Sequence, residues 1–191
     1  MFKRHWWGRF GAFDRSAAEL IVQVWDTAFK EKTTADYSVC STWATTPTGI
    51  YILDVFRERL EFPELKRKAK DQFEKWRPNA VLVEDKASGQ SLIQELQRDT
   101  LLPVIAVAVD RDKIARAAAV TPYVEAGKVM LPESALWVDD WIEEHAAFPA
   151  GAYDDQVDTT SMVLKYLSPD LDTPIVTPGM IAGSILAGRR R

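Results

Sequence analysis

Five carboxylates are notable for their positions. Asp26 ends the apolar run Leu20 to Trp25, and Glu84 ends the run Ala80 to Val83. Asp154, Asp155 and Asp158 open the last helical pattern of the chain. Acids delivered from two strand ends and a helix start can converge on one point, and oxygen ligands without His or Cys suit a hard cation such as Mg²⁺ or Mn²⁺. Two such ions roughly 3.5 to 4 Å apart acidify a water, stabilise a leaving oxygen and hold a phosphate in line, which is the chemistry of phosphodiester hydrolysis. Each acid also has an ordinary use. Asp closes turns readily, and acids in a helix's first turn complement its dipole. Asp154 and Asp158 are four apart and Asp155 and Asp158 three apart, so either pair can share a helix face.

The elements that would position these acids follow from periodicity. Glu19 to Asp26 carries apolar side chains on both faces, interrupted only by Gln23, as a central strand does. Tyr37 to Thr45 and Gly49 to Val55 predict two further strands joined by a turn at Thr46 to Gly49, completing an antiparallel meander. Phe62, Leu65, Ala69, Phe73 and Trp76 recur at helical spacing up to Arg77-Pro78. A fourth strand, Ala80 to Glu84, leads to Ser88, which can cap a helix carrying Leu92, Ile93 and Leu96. A fifth strand is expected over Pro103 to Val109, then a helix over Lys113 to Ala126, capped by Asp112 and closed at Gly127. Ser134 is expected to start a helix with Trp137, Trp141 and His145, and the last helix runs from about Asp154 to Leu167. This order predicts an α/β, ribonuclease H-like mixed sheet of five strands or slightly more, with helices on both faces. The first and fourth strands would be neighbours, placing Asp26 beside Glu84 at their C-terminal ends, where α/β proteins tend to build sites.

Length and composition set outer limits. A chain of 191 residues, 47% apolar, is long enough for one domain with a substantial core. No run of about 18 apolar residues suggests a membrane span, and Lys3, Arg4 and His5 lead into Trp6-Trp7-Gly8 rather than a signal peptide's apolar region. A single cysteine, Cys40, inside an expected strand reads as core, and with two distant histidines, His5 and His145, a zinc site is close to excluded. The net charge of −4 is unevenly spread: Pro132 to Asp172 holds ten acids against one base, Lys165. Residues 1–16 are basic and aromatic without periodicity and are expected to be a linker or arm, residues 17–168 the domain, and residues 169–191 a flexible tail.

The segments WDTAFKEKTTADYSVCSTWA, LVEDKASGQSLIQEL, DRDKIARAAAVTPYVEAGKVMLP and FPAGAYDDQVD closely resemble the C-terminal nuclease domain of phage and prophage terminase large subunits, in the expected order from about Glu19 to Leu167. The resemblance implies a metal-dependent endonuclease that cuts concatemeric double-stranded DNA during capsid filling in the bacterial cytoplasm. By position Asp26 matches the family's first-strand acid, Glu84 its second, and Asp154-Asp155 the pair that supplies a third metal ligand, with Asp158 in support. Either member of the pair can be that ligand. Lys86, Lys113 and Arg116 lie in similar segments and are assigned to phosphate contact, with ordinary surface bases as the alternative. The implied cofactor is Mg²⁺ or Mn²⁺ in a two-ion site. The implied partners are double-stranded DNA, the portal protein, the small terminase subunit and an N-terminal ATPase domain. No GxxxxGK[ST] phosphate loop occurs here, so the motor is not in this sequence.

Two other classes compete. A docking module with a vestigial site would keep the fold while binding DNA or portal only. An actin-like or sugar-kinase ATPase shares the superfold, but it needs glycine-rich phosphate loops, and no glycine follows Asp26 until Gly49.

Overall fold

The central strand carries both cores of the molecule. In the computed structural model, which describes residues 1–28, 37–109 and 112–168, the chain forms β1 (Gly8–Phe10), β2 (Leu20–Asp26), β3 (Ser38–Thr46), β4 (Gly49–Glu58), α1 (Phe62–Trp76), β5 (Ala80–Glu84), α2 (Ala87–Asp99), β6 (Val104–Val107), α3 (Lys113–Glu125), β7 (Val129–Pro132), α4 (Val138–Ala147) and α5 (Asp155–Leu167). The strands make one sheet in the order β1-β7-β4-β3-β2-β5-β6. β2, β3 and β4 are the antiparallel meander, and β5 joins β2 in parallel with Trp25 opposite Val83. This is the expected mixed α/β sheet, enlarged to seven strands.

Strand alternation sorts the side chains of β2 between two layers. Val22 and Val24 join Leu82, Val120, Trp141 and Val163 in the core under α3, α4 and α5. Trp25 turns the other way, joining Cys40, Val83, Leu65 and Leu92 in the core under α1 and α2. Gln23, the one polar interruption, faces α1, where its Nε2 donates to the Gln72 carbonyl at 2.8 Å while its buried Oε1 meets no donor among the described residues. Asp26 keeps the parity of Val22 and Val24, and Glu84 keeps that of Ala80 and Leu82. Both acids therefore face the α5 layer.

The expectation for residues 1–16 does not hold. Phe2 and Trp7 are buried, Trp7 stacks edge-on against Trp141 and His145, and β1 pairs in parallel with β7. The aromatic residues at the N-terminus lack a period because they plug the end of a helix layer instead of lining one face of an element. β7, which pairs with β4, was also not foreseen; its four residues give little alternation to read. Two expected helix starts move as well. Ser88 lies inside α2, whose N-cap is Lys86, and α4 begins after Trp137 instead of at Ser134. Asp112 does cap α3, accepting from the Ala115 amide at 2.9 Å, and Gly127 after it takes a φ of 66° that glycine adopts without strain. His145 is wholly buried, and burial depresses its pKa to about 3, so it is a neutral core residue. Among the described residues no helix is long and apolar enough to cross a membrane. The tail expected at 169–191 lies outside the described residues.

Candidate active site

Asp26 and Glu84 are both buried, 8% and 1% exposed, at the C-terminal ends of adjacent parallel strands. Burial pushes the Asp26 carboxyl well above the usual carboxylate range; the Lys86 ammonium opposes the rise, while Glu84 and Asp158 add to it. Neither Glu84 oxygen accepts a hydrogen bond from a protein donor, and Lys86 Nζ meets Oε2 as an ion pair. The loop that follows is tightly drawn. The Lys86 amide bonds the Glu84 carbonyl at 2.9 Å, and Ser88 Oγ donates to the Thr27 carbonyl at 2.5 Å, tying α2 to the end of β2. Gly89 approaches so closely that a Cβ there would lie 1.9 Å from the Glu84 carbonyl oxygen.

The three acids of α5 point in different directions. Asp158 is 5% exposed and held by two bases, Arg116 Nη2 at 2.5 Å from Oδ1 and Lys113 Nζ at 3.0 Å from Oδ2. Lys113 also donates to Asp154 Oδ1 at 2.8 Å, so one ammonium bridges the pair that shares a helix face. Burial alone would lower the Lys113 pKa, but its bonds to Asp154 and Asp158 outweigh that and raise it. Asp155 turns away toward Arg57, 3.9 Å distant. Burial first, then the nearby Glu144, raises its pKa to about 6.

Asp154, at the N-cap position, makes no side-chain cap bond. Glu144 from α4 caps the helix instead, its Oε1 accepting from the Gln156 amide at 2.6 Å and its Oε2 from Gln156 Nε2 at 2.7 Å. The first turn of α5, with its acids, is therefore pinned from outside the helix.

Asp26, Asp154 and Asp155 line a common cleft of about 460 Å³ together with Tyr37, Lys86 and Lys113. Its acids supply oxygen ligands only; Glu84 Oε2 and Asp158 Oδ2 are met by ammonium groups without a fixed hydrogen bond and Glu84 Oε1 accepts none, which fits a hard divalent cation. As placed, however, no group of three or more Asp, Glu, His or Cys side chains among the described residues is arranged to hold a metal ion. Lys86, Lys113 and Arg116, expected at phosphates, are instead paired with the acids. Asp26, Glu84 and Asp158 are brought together, whereas Asp154 and Asp155 diverge.

Residues 23–167 match the family of terminase RNaseH-like domains. The chain belongs to this family. Solved structures share its fold at low identity. The large terminase nuclease of thermophilic phage G20c, crystallised with bound magnesium, is 16% identical with a TM-score of 0.61, covering 85% of this chain and 94% of that one. The human cytomegalovirus terminase nuclease domain, soaked with Mn, is 11% identical with a TM-score of 0.57, covering 83% of this chain and 89% of that one. The large terminase of another thermophilic bacteriophage is 14% identical with a TM-score of 0.60, covering 84% of this chain, which spans 42% of that longer protein. No curated protein matches the chain.

Within this terminase RNaseH-like domain, sequence reasoning missed Glu144, Arg57 and Ser88 as residues that build the site. Glu144 sits among acids that read as a solvated face, and Arg57 ends a strand whose pairing extends past its apolar pattern. Ser88 has the sequence signature of a cap, a serine before an apolar helix, whereas its Oγ ties α2 to the Thr27 carbonyl.

Proposed function

We propose that the chain is a metal-dependent DNA endonuclease domain of a viral packaging terminase, hydrolysing phosphodiester bonds of concatemeric double-stranded DNA with little sequence specificity. The supporting observation is the trio of buried acids Asp26, Glu84 and Asp158, which crowd one another at the strand ends beside an open cleft. Asp26 and Glu84 would hold a divalent ion, Mg²⁺ or Mn²⁺, with Asp158 and one of Asp154 and Asp155 completing a two-ion set. When bound, such ions acidify the attacking water and stabilise the leaving oxygen.

The remaining work belongs to the protein. Lys86 and Lys113 offset the acids' charge, and with a divalent cation in their place both would be free to turn to phosphate oxygens. Arg116, 11% exposed on its side chain, keeps Asp158 oriented. DNA is the proposed substrate. The portal protein, the small terminase subunit and an ATPase domain are the proposed partners, in the cytoplasm of a bacterial host.

Incubation with supercoiled plasmid in Mg²⁺, Mn²⁺ or EDTA tests this reading. Metal-dependent nicking and linearisation are expected, reduced about 100-fold or more by Asp26→Asn or Glu84→Gln, with melting temperatures no lower than the parent's. A variant that cuts at the parent's rate removes its residue from the mechanism. DNA binding without cleavage under any metal would leave the docking-module reading, which the acid–base pairing of the site also fits.

A further inference from the structure

The cleft contains a cation that the pairing of acids and bases leaves over. Lys86 is committed to Glu84, and Lys113 to Asp154 and Asp158. Arg59, exposed on the same cleft wall as Tyr37 and Tyr153, has no carboxylate within ion-pairing distance among the described residues. Its guanidinium lies 4.6 Å from the Tyr37 ring centroid. Arg57, two residues earlier, stacks on Tyr37 at 4.3 Å and on Tyr153 at 4.7 Å, but it is also within ion-pairing distance of Glu144 and Asp155. The two tyrosine rings meet edge to face at 5.4 Å, and Tyr153, directly before Asp154, is 46% exposed.

We propose that Arg59 binds a DNA backbone phosphate adjacent to the one being cut, and that Tyr37 is the positioning residue that presents it. This rests on the nuclease reading above. A guanidinium stacked on an aromatic face keeps its N–H edge free for a bidentate contact with a phosphate, and the stacking removes part of the rotamer freedom that binding would otherwise cost. DNA entering a cleft lined with carboxylates needs positive charge that is not already neutralised, and of the cleft's cations Arg59 carries it. Tyr153 beside it offers a flat ring against which the sugar or an adjacent base can rest.

Duplex DNA binding is measured in EDTA, so that nothing is cut, across a series of salt concentrations. The affinity of Arg59→Ala should fall roughly tenfold and the slope of log K against log salt should shrink by about 1, the signature of one lost phosphate contact. Tyr37→Phe should keep the parent slope and Tyr37→Leu should lose part of it. Arg67→Ala is the control: this residue is exposed on α1, pairs with Glu64 and lies outside the cleft lining, so its slope should not move. An unchanged slope in Arg59→Ala, or an equal drop in Arg67→Ala, overturns the proposal while leaving the nuclease reading standing if the parent binds and cuts DNA. A parent that neither binds nor cuts overturns both.

Discussion

Replacing Glu144 by alanine should loosen the start of α5 more than any acid of the cleft would. The Glu144 carboxylate is 8% exposed and accepts from the Gln156 amide at 2.6 Å and from Gln156 Nε2 at 2.7 Å, with Arg57 Nη2 at 3.4 Å. A hydrogen bond to a charged group contributes about 1.5–3 kcal/mol, and removing one partner of a buried charged pair costs about 3–5 kcal/mol. The contacts share one carboxylate, so they do not add. Part of the loss is offset because Asp155 sheds a repulsive neighbour and keeps Arg57. The net expectation is a loss of about 3 kcal/mol, roughly 6–12 °C in melting temperature for a domain of this size. Glu144→Gln keeps an acceptor for the Gln156 amide and should lose about half as much. Urea and thermal unfolding of the purified chain measure the loss, and amide hydrogen exchange at Gln156, 1% exposed, locates it. A Glu144→Ala protein within about 1 kcal/mol of the parent, with unchanged exchange at Gln156, would refute the idea that this carboxylate caps α5 from outside.

Gly89→Ala would press a methyl group into the backbone carbonyl of Glu84, which unlike a side-chain tip cannot swing aside. A loss of about 2–3 kcal/mol is expected, together with slower cleavage because Glu84 is displaced; an unchanged melting temperature would show that α2 can shift freely. Asp155 gives a pH test. Its folded pKa, about 6, lies above the ordinary 3.8, so the folded state holds this proton more tightly than the unfolded one. Its contribution to stability is therefore full below about pH 4 and falls away as pH rises to about 6, by about 1–2 kcal/mol once partial exposure is allowed for. Asp155→Asn should accordingly melt above the parent at about pH 8 and converge with it toward about pH 4. Thermal melts across that range decide it, and coincident curves at the alkaline end would contradict the burial argument.

The central sheet was legible in the sequence because β2 and β5 bury both faces and end in acids, a pattern that little besides a pair of inner strands bearing a site produces. The register that puts Asp26 next to Glu84 follows from strand order and parity alone. The edges were not legible: β1 and β7 are three and four residues long and are held by one another and by β4. Their local patterns are weak because their stability comes from pairing and from the burial of Phe2 and Trp7. At the site, sequence spacing correctly allowed Asp154 and Asp158 to share a face, and Lys113 bridges them. Spacing could not tell that Asp155 turns the other way, because its direction is set by Arg57 on β4 and Glu144 on α4, far apart in sequence.

Charge balance explains why these side chains divide as they do. Six acids (Asp26, Glu84, Glu144, Asp154, Asp155 and Asp158) face the four bases set against them (Arg57, Lys86, Lys113 and Arg116), while Arg59 on the cleft wall is a fifth cation outside these pairs. The four paired bases leave two negative charges in excess, in surroundings that penalise them. Asp26 and Asp155 are the acids of this set whose pKa values are pushed upward, so the excess is absorbed as a preference for protons. A DNA phosphate approaching this arrangement would add negative charge to a site already short of positive charge. Under the nuclease reading, a phosphate would reach the acids themselves only with divalent ions entering before or with it, whereas a neighbouring phosphate can meet Arg59 without them. Lys86 and Lys113 are the groups they would release, and Arg59, outside these pairs on the cleft wall, is the cation proposed to meet the DNA.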